Sequence, residues 1–484
     1  MEAPKNPGYA SVLRTLFWLC LSFALLSAGA VDRLPLSICA LILSLIAAPA
    51  VLSAWNTDTK ASIYLIASAA LLFAVATVWL QTIPIADLSN LNDAWSQVRQ
   101  QIGIAQASIS VVPDETAAGI VAWCPLLAFV VAGHLYPDQT AALRLMRGLC
   151  YVNVLAAIFG IIQFFIVPDS LGISDKVYYI DSLSSVFVNR NSAGTFFGCG
   201  LLLGVGFAWH YWRAIPTGDL MHALLSSHVQ IRREHMRLIL FLAIVVIDLV
   251  ALSLTRSRGA IVSTIAAAVL LSFLLWSQSS ALRLNTRFPW LRYFGWGRYL
   301  LPLVTVGLIA TLFTERAAYR LQTQGADEGR LCTYQSTWRA IVDNWPSGSG
   351  FNTFTQVFPA YRDSTCVGIN GFWNAAHNSY LEGLLGLGLP FAILLAVGYA
   401  VLLAALVVGY RLRHRYRFAP AIGLSVLLLV SIHAFVDFSM QIPAIGIFIA
   451  ATMAGSLTVG LSRSHGRSTP SRQSAAPTLP TDRA

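Results

Sequence analysis

Four short polar clusters interrupt a chain that is otherwise strongly apolar. They hold arginine, asparagine, histidine and aspartate, which are side chains that bind phosphate groups or move protons. In chain order they are residues 187–194 (Phe-Val-Asn-Arg-Asn-Ser-Ala-Gly), residues 255–259 (Thr-Arg-Ser-Arg-Gly), Arg330 with residues 348–351 and 375–380 (Gly-Ser-Gly-Phe and Ala-Ala-His-Asn-Ser-Tyr), and His433 with residues 437–444 (Asp-Phe-Ser-Met-Gln-Ile-Pro-Ala). These clusters are the candidates for chemistry in this chain.

Arg190, Arg258 and Arg330 are the candidate anion-binding residues. A planar guanidinium group binds phosphate oxygens in pairs and stays charged at any working pH. Together the three could hold a diphosphate and stabilise the charge that develops as it departs. The alternative for each is that it extends to lipid headgroups. For Arg258 we favour function, because its turn is too short to be a mere linker.

His377 is the candidate for proton transfer. The hydrophobicity pattern places it in a loop on the outer side of the membrane, at the entry to a predicted span. A histidine pKa of about 6.5 suits it to accept a proton from a hydroxyl group. The alternative is a structural histidine that caps the following helix together with Asn378. Asp437 could orient an arginine or a histidine, or could satisfy polar backbone at a break in an apolar hairpin.

The elements that must position these residues are membrane-spanning helices. Of the 484 residues, 56% are hydrophobic and 11% are charged, and the mean hydropathy is +0.65. A soluble protein carries about a quarter charged residues, so the bilayer must be the solvent here. The net charge of +10 comes from short basic clusters between apolar runs. Such clusters are typical of cytoplasmic loops and do not indicate nucleic-acid binding.

Apolar stretches predict about twelve spans. Lysine and arginine concentrate in alternate loops, which places both termini in the cytoplasm and the four polar clusters outside. The predicted spans are about 11–30, 35–54, 62–82, 116–136, 146–166, 193–212, 238–255, 259–277, 299–314, 383–409, 419–436 and 443–461. The prediction is one all-α polytopic membrane domain over residues 1–461, followed by a disordered cytoplasmic tail at 462–484.

The largest outer segment is a periplasmic loop at about 315–378. Residues 331–345 within it predict a short amphipathic helix that Pro346 stops. Cys332 and Cys366 lie in this loop, which the topology places in an oxidising compartment, so they could form a disulfide or stay two free thiols. The other five cysteines lie in apolar runs and are expected to be buried.

Taken in order, the clusters resemble the O-antigen ligase and O-antigen (exopolysaccharide) polymerase superfamily of bacterial membrane glycosyltransferases. The similarity covers about residues 180–445 and rests on Phe-Val-Asn-Arg-Asn, the Ser-Arg-Gly turn, His-Asn-Ser-Tyr-Leu and Asp-Phe-x-x-Gln-Ile-Pro-Ala. Ser192 and Ala193 depart from the family pattern, which often has a histidine and an aromatic residue there. The resemblance implies a GT-C-like helical fold in the bacterial inner membrane, an undecaprenyl-diphosphate-linked glycan as donor, and no metal or cofactor.

With this resemblance we expect catalysis by His377, Arg258 and Arg330. We expect substrate binding by Arg190, Asn189, Asn191, Asn378 and Asp437. The acceptor would be a glycan or lipid A-core, and a polymerase is favoured over a lipid A-core ligase. The alternative from another class is a transporter or flippase of the lipid-linked glycan, which would be expected to carry inverted repeats and polar residues near the midplane.

Overall fold

The computed structural model describes residues 7–53, 59–84, 108–172, 175–215, 233–276, 328–363 and 373–462. Over these ranges the chain is helical, without a β-strand. The α-helices are α1 (Pro7–Leu26), α2 (Arg33–Ser53), α3 (Thr59–Thr82), α4 (Pro113–Ala118), α5 (Cys124–Leu135), α6 (Gln139–Ile166), α7 (Arg190–Ala214), α8 (Arg233–Leu254), α9 (Arg258–Trp276), α10 (Glu328–Asp343), α11 (Phe354–Tyr361), α12 (Ser379–Leu387), α13 (Leu389–Leu412), α14 (Phe418–His433) and α15 (Pro443–Leu461). Short 3₁₀ helices occupy Gly119–Trp123 and Ser439–Gln441.

Most of the predicted spans correspond to helices. Among the described residues, nine stretches are long and apolar enough to cross a membrane, and two shorter apolar helices, Arg33–Pro49 and Phe418–His433, accompany them. The chain is therefore a polytopic helical protein. The span predicted at about 299–314 lies outside the described residues, and so does almost all of the predicted tail.

The span predicted at 383–409 is wrong in one respect, because two helices divide it. α12 ends at Leu387 and α13 begins at Leu389. Between them Gly388 has φ +64°, and a Cβ there would lie 2.1 Å from the carbonyl oxygen of Pro346. Only glycine fits both this conformation and this close approach. The break lets the preceding loop pack against the start of a spanning helix.

α7 and α15 form the centre of the bundle. In the most apolar 18-residue stretches of these two helices, 89% and 94% of the residues are buried. The corresponding stretch of α13 is 11% buried. Glycines allow the central helices to approach closely: a Cβ at Gly194 would lie 2.6 Å from the Cβ of Ala260. The exposed surface of α13 is apolar, as a lipid-facing helix requires.

The two ends of the bundle differ. At one end α7, α9 and α15 begin and α8 and α14 finish, and we call this the site end. At the other end Arg14 donates to the carbonyl of Leu135 (2.9 Å), and Arg413 donates to that of Gly460 (3.2 Å). We call this the basic end, because arginines lie there at the start of α8, at the end of α13 and just before α14.

The predicted amphipathic helix is confirmed as α10. It packs with α11 and α12 in a small apolar core that includes Ile341, Phe358 and Leu385. The Gly-Ser-Gly segment of the third cluster follows it, with φ +74° at Gly348 and +108° at Gly350. The region is joined to α12, since the Ser349 amide donates to the Leu385 carbonyl (2.8 Å).

Candidate functional site

The Asp437 carboxylate is the centre of a polar network at the site end. It has no exposed surface. One oxygen accepts a hydrogen bond from Asn191 Nδ2 (3.0 Å), and the other accepts one from the Ser439 hydroxyl. The side-chain oxygen of Asn191, Oδ1, in turn accepts a hydrogen bond from Ser257 Oγ (2.8 Å). The first, second and fourth clusters, which are far apart in sequence, therefore meet through partly buried hydrogen bonds.

Asn189 fixes the start of α7. Its side-chain oxygen accepts from the amide of Asn191 (2.8 Å), as an N-cap residue does. The cap sets the direction of the first helical turn, in which Arg190 and Asn191 lie. The Arg190 guanidinium lies 5.1 Å from the ring centroid of Tyr179, in a cation–π contact.

The turn at residues 255–259 holds two arginines in different environments. Arg256 adopts φ +54° and pairs with Asp181 at 3.0 Å. Arg258, in the first turn of α9, is exposed and makes no ion pair with any residue in the described ranges. Of these two charges, that of Arg258 is the one open to an anionic ligand.

His377 is held in a defined position beside the network. Its φ of +53° lies in the left-handed region, and its ring packs edge-on against Trp373 (5.5 Å) and Phe438 (5.0 Å). The Tyr334 hydroxyl lies within hydrogen-bond distance of the carbonyls of His377 (3.0 Å) and Phe435 (3.1 Å). A positive φ is unfavourable for a residue other than glycine, so this conformation persists only because the surrounding structure enforces it.

Asn378 caps α12. Its side-chain oxygen accepts from the amides of Tyr380 (3.0 Å) and Leu381 (3.1 Å). The next residue, Ser379, joins the third cluster to the fourth, because its hydroxyl donates to the carbonyl of Asp437 (3.0 Å). All four clusters thus form one site, and the cap comes from the side chain of Asn378.

Arg330 lies near the same network, in the first turn of α10. Its charge and that of Asp437 both act on the imidazole of His433. That imidazole is buried at the end of α14, and its Nδ1 lies 2.7 Å from Thr195 Oγ1 of α7. The third predicted arginine is therefore brought towards the site.

Glu382 is a site residue that the sequence analysis missed. Its Oε2 accepts from the amide of Ala376, the residue before His377, at 2.9 Å. Burial raises the pKa of this carboxyl from its ordinary value to about 7, and the bonds from Ala376 and Gln441 oppose the shift. The available signal was an acid in the first turn after an asparagine cap. Ser257, Ser379 and Ser439 lie within the predicted clusters but were assigned no role there, and Tyr334 lies outside those clusters.

A cavity of about 1000 Å³ is lined in part by Met440 and Gln441 of the 3₁₀ turn Ser439–Gln441. Its walls are mainly apolar side chains of α3, α13 and α15, such as Phe73 and Val397. Tyr380, Glu382 and Gln441 are among its polar lining residues. An apolar space with a few polar groups is typical of a ligand site.

Cys332 is disulfide-bonded, whereas Cys20, Cys39, Cys124, Cys150 and Cys199 are buried free thiols. Cys366, its predicted partner, lies outside the described residues, so the pairing stays a prediction.

Fold and site together define a polytopic helical membrane protein whose polar site is held at one end of the bundle. Residues 240–396 match the family model described as O-antigen ligase, which confirms the resemblance to the O-antigen ligase and polymerase superfamily. The match includes Arg258, Arg330 and His377 and supports a ligase- or polymerase-type glycosyltransferase acting in a membrane. No curated protein matches the chain.

Proposed function

We propose that the protein transfers an undecaprenyl-diphosphate-linked glycan to an acceptor sugar at the periplasmic face of the bacterial inner membrane. The observation that carries the proposal is the meeting of four distant clusters in one hydrogen-bonded site, with Arg258 exposed and His377 beside it. The arginines of the basic end support cytoplasmic termini and a periplasmic site.

The arginines bind the diphosphate of the donor lipid. Arg258 is exposed at the site end, and Arg330 and Arg190 add charge from α10 and α7. Bidentate hydrogen bonds from guanidinium groups hold the diphosphate oxygens and stabilise the charge that develops on the leaving group. Diphosphate is already a good leaving group, so positioning and charge stabilisation suffice.

His377 accepts the proton of the acceptor hydroxyl. As that oxygen attacks the anomeric carbon, the new glycosidic bond forms and the bond from carbon to the diphosphate oxygen breaks. The electron pair leaves with undecaprenyl diphosphate, and His377 later releases its proton to water. Attack opposite the leaving group would invert the anomeric centre.

Asp437, Asn191, Asn189 and Asn378 act as positioning residues in this proposal. Asp437 has no exposed surface, and Asn378 is 7% exposed with its side-chain oxygen engaged by α12. Their hydrogen bonds hold the starts of α7 and α12 relative to each other. The predicted substrate-binding role of these residues becomes an indirect one.

The apolar character of the cavity supports the proposal that the substrates are lipid-linked. It lies against the His377 segment through Glu382, and its walls include lipid-facing residues of α13. An undecaprenyl chain, or the lipid of the acceptor, is of the right chemistry to occupy it.

Within this class we propose a polymerase of O-antigen or exopolysaccharide, with a lipid A-core ligase as the alternative. The transporter is disfavoured because the network joins the ends of helices, whereas transport sites lie near the midplane.

The test is the length distribution of lipid-linked glycan in a deletion strain that receives either the wild-type gene or His377→Ala. His414→Ala, an exposed histidine at the basic end, is the matched control and should restore function. Single repeat units in the strain with His377→Ala would indicate a polymerase, and long chains would indicate a ligase. Units trapped on the cytoplasmic face, or full activity of His377→Ala at wild-type abundance, would overturn the proposal.

A further inference from the structure

α10 carries an apolar stripe that the described residues of the protein leave exposed. Leu331, Trp338, Val342 and Trp345 are 53%, 55%, 57% and 50% exposed. Their spacings of seven, four and three residues place them on one side of an α-helix and its final turn. An exposed stripe with two tryptophans is unusual on a surface that faces only water.

The contacts of α10 show that it lies across the end of the bundle. Near its start, the Tyr334 hydroxyl reaches the carbonyl of Phe435, just after the end of α14. Just after its end, the Pro346 carbonyl accepts a hydrogen bond from the amide of Leu389, the first residue of α13 (2.8 Å). Both ends of α10 thus contact the ends of spanning helices, and its axis runs along the plane of the membrane surface.

The sides of α10 differ in polarity in an ordered way. Thr333, Thr337 and Ala340 are buried on the side opposite the stripe. Gln335 and Arg339 are exposed beside the stripe, on the side away from Tyr334. The stripe therefore lies between the side that contacts the bundle end and a polar exposed side. This order is typical of a helix that lies in a membrane interface.

The stripe continues into a lipid-facing surface. On α13, Leu389, Ile393 and Val397 are 42%, 46% and 50% exposed. Trp345 directly precedes Pro346, whose carbonyl is bonded to Leu389. The apolar surface of α10 is thereby connected to that of the spanning helix.

We propose that this stripe inserts into the headgroup region of the lipid leaflet at the site end, so that the bilayer itself is the partner of α10. Tryptophan is favoured at this depth because its ring is apolar while its indole N–H can bond to water or headgroups. The insertion holds α10, and with it Arg330 and the Tyr334–His377 contact, at a fixed height above the membrane. The proposal is independent of the reaction that the site catalyses.

The experiment places a bimane fluorophore on Trp338→Cys in the full chain in lipid nanodiscs. Gln335→Cys, one turn away on the polar side, is the matched control, and unsubstituted protein gives the background from native thiols. Lipids brominated on their acyl chains should quench bimane at 338 about twofold more than bimane at 335, and aqueous iodide should do the reverse. Val342→Cys provides a second site with the same expectation.

Equal quenching by iodide at 338 and 335 without any effect of brominated lipid would overturn the proposal and indicate a soluble partner for the stripe. Protection of 338 and 342 from both quenchers would also overturn it, because the stripe would then be covered by protein.

Discussion

The site end and the basic end use the same residue type in different ways. At the basic end, Arg14 and Arg413 donate to carbonyls of neighbouring helices, and Arg417 donates to the carbonyl one turn before it (2.6 Å). Other arginines at the basic end make cation–π contacts with tyrosine rings; the guanidinium carbon of Arg237, for example, lies 5.7 Å from the ring centroid of Tyr211. Through such contacts the guanidinium groups satisfy carbonyls at helix ends and anchor the chain at the membrane surface.

At the site end the hydrogen bonds connect distant segments. Asn191 joins Ser257 to Asp437, and Ser379 bonds to Asp437 from a fourth segment. Arg258, by contrast, is left exposed without an ion pair in the described part of the chain. Exposure alone therefore does not mark a functional arginine. What distinguishes Arg258 is a charge without an ion pair among the described residues, next to Ser257 of the polar network.

The largest expected effect comes from removing this charge. Arg258→Ala should lower the rate of glycan transfer by about 100- to 1000-fold, because the developing charge on the diphosphate loses a donor. Arg411→Ala removes an exposed arginine of the basic end and should leave activity within about twofold of wild type. Transfer is measured in membranes with both variants at equal abundance.

A conservative variant sharpens this result. Arg258→Lys keeps the charge but loses the planar pair of donors, so it should recover only part of the activity. Equal losses of transfer activity in Arg258→Ala and Arg411→Ala would show that arginines at the site end and at the basic end do not differ in function as proposed.

The second prediction compares two aspartates. Asp437→Ala leaves the partly buried side-chain amide of Asn191 and the buried hydroxyl of Ser439 without their acceptor, and should lower the free energy of unfolding by about 3 kcal/mol. Asp138, at the basic end, caps α6 by accepting from Ala141 (2.9 Å) and is exposed. Asp138→Ala should cost about 1 kcal/mol. Thermal unfolding in nanodiscs measures both, and a larger loss for Asp138→Ala would contradict the comparison.

Much of the bundle was predictable because long apolar runs and polar interruptions are local signals. The turn at 255–259 and the helix at 331–345 were found in this way, and the first, second and fourth clusters proved to meet. The break at Gly388 was not found, because its φ of +64° depends on the approach of Pro346. One glycine among 34 carries no sign of such a neighbour.

Most of the missed site residues share a physical reason. Ser257 and Tyr334 are ordinary in their own segments, and their importance arises only from acceptors on distant segments of the chain. Sequence spacing specifies neighbours within a helix and not between helices. The positions of the clusters were therefore predictable, whereas the bonds that join them were not.

The third prediction tests how closely the site-end helices must pack. A Cβ at Gly194 would lie 2.6 Å from the Cβ of Ala260, whereas nothing lies within 4 Å of one at Gly398. Gly194→Ala should cost about 2 kcal/mol by overpacking. Gly398→Ala should be neutral or stabilising by up to about 1 kcal/mol, since alanine favours the helix. Thermal unfolding decides, and equal shifts for the two variants would contradict the close contact.

The fourth prediction is a pH dependence that arises at Glu382. Burial raises the pKa of its carboxyl from 4.5 to about 7 in the folded protein. As pH rises between these values, the unfolded chain gives up a proton that the folded protein keeps. Stability should therefore fall over this window, by at most about 1.4 kcal/mol per pH unit, and be level above it.

Glu382→Gln separates this carboxyl from the other titrating groups of the protein. Glutamine keeps the acceptor for the Ala376 amide but cannot ionise. The variant should melt at about the wild-type temperature at pH 5 and above it at pH 8, because only the wild type must bury a charge at the higher pH. Parallel melting curves for the two proteins from pH 5 to pH 8 would show that Glu382 does not titrate there. The His377 segment would then be held by a carboxylate that is charged throughout, and the site end would be more polar than its burial indicates.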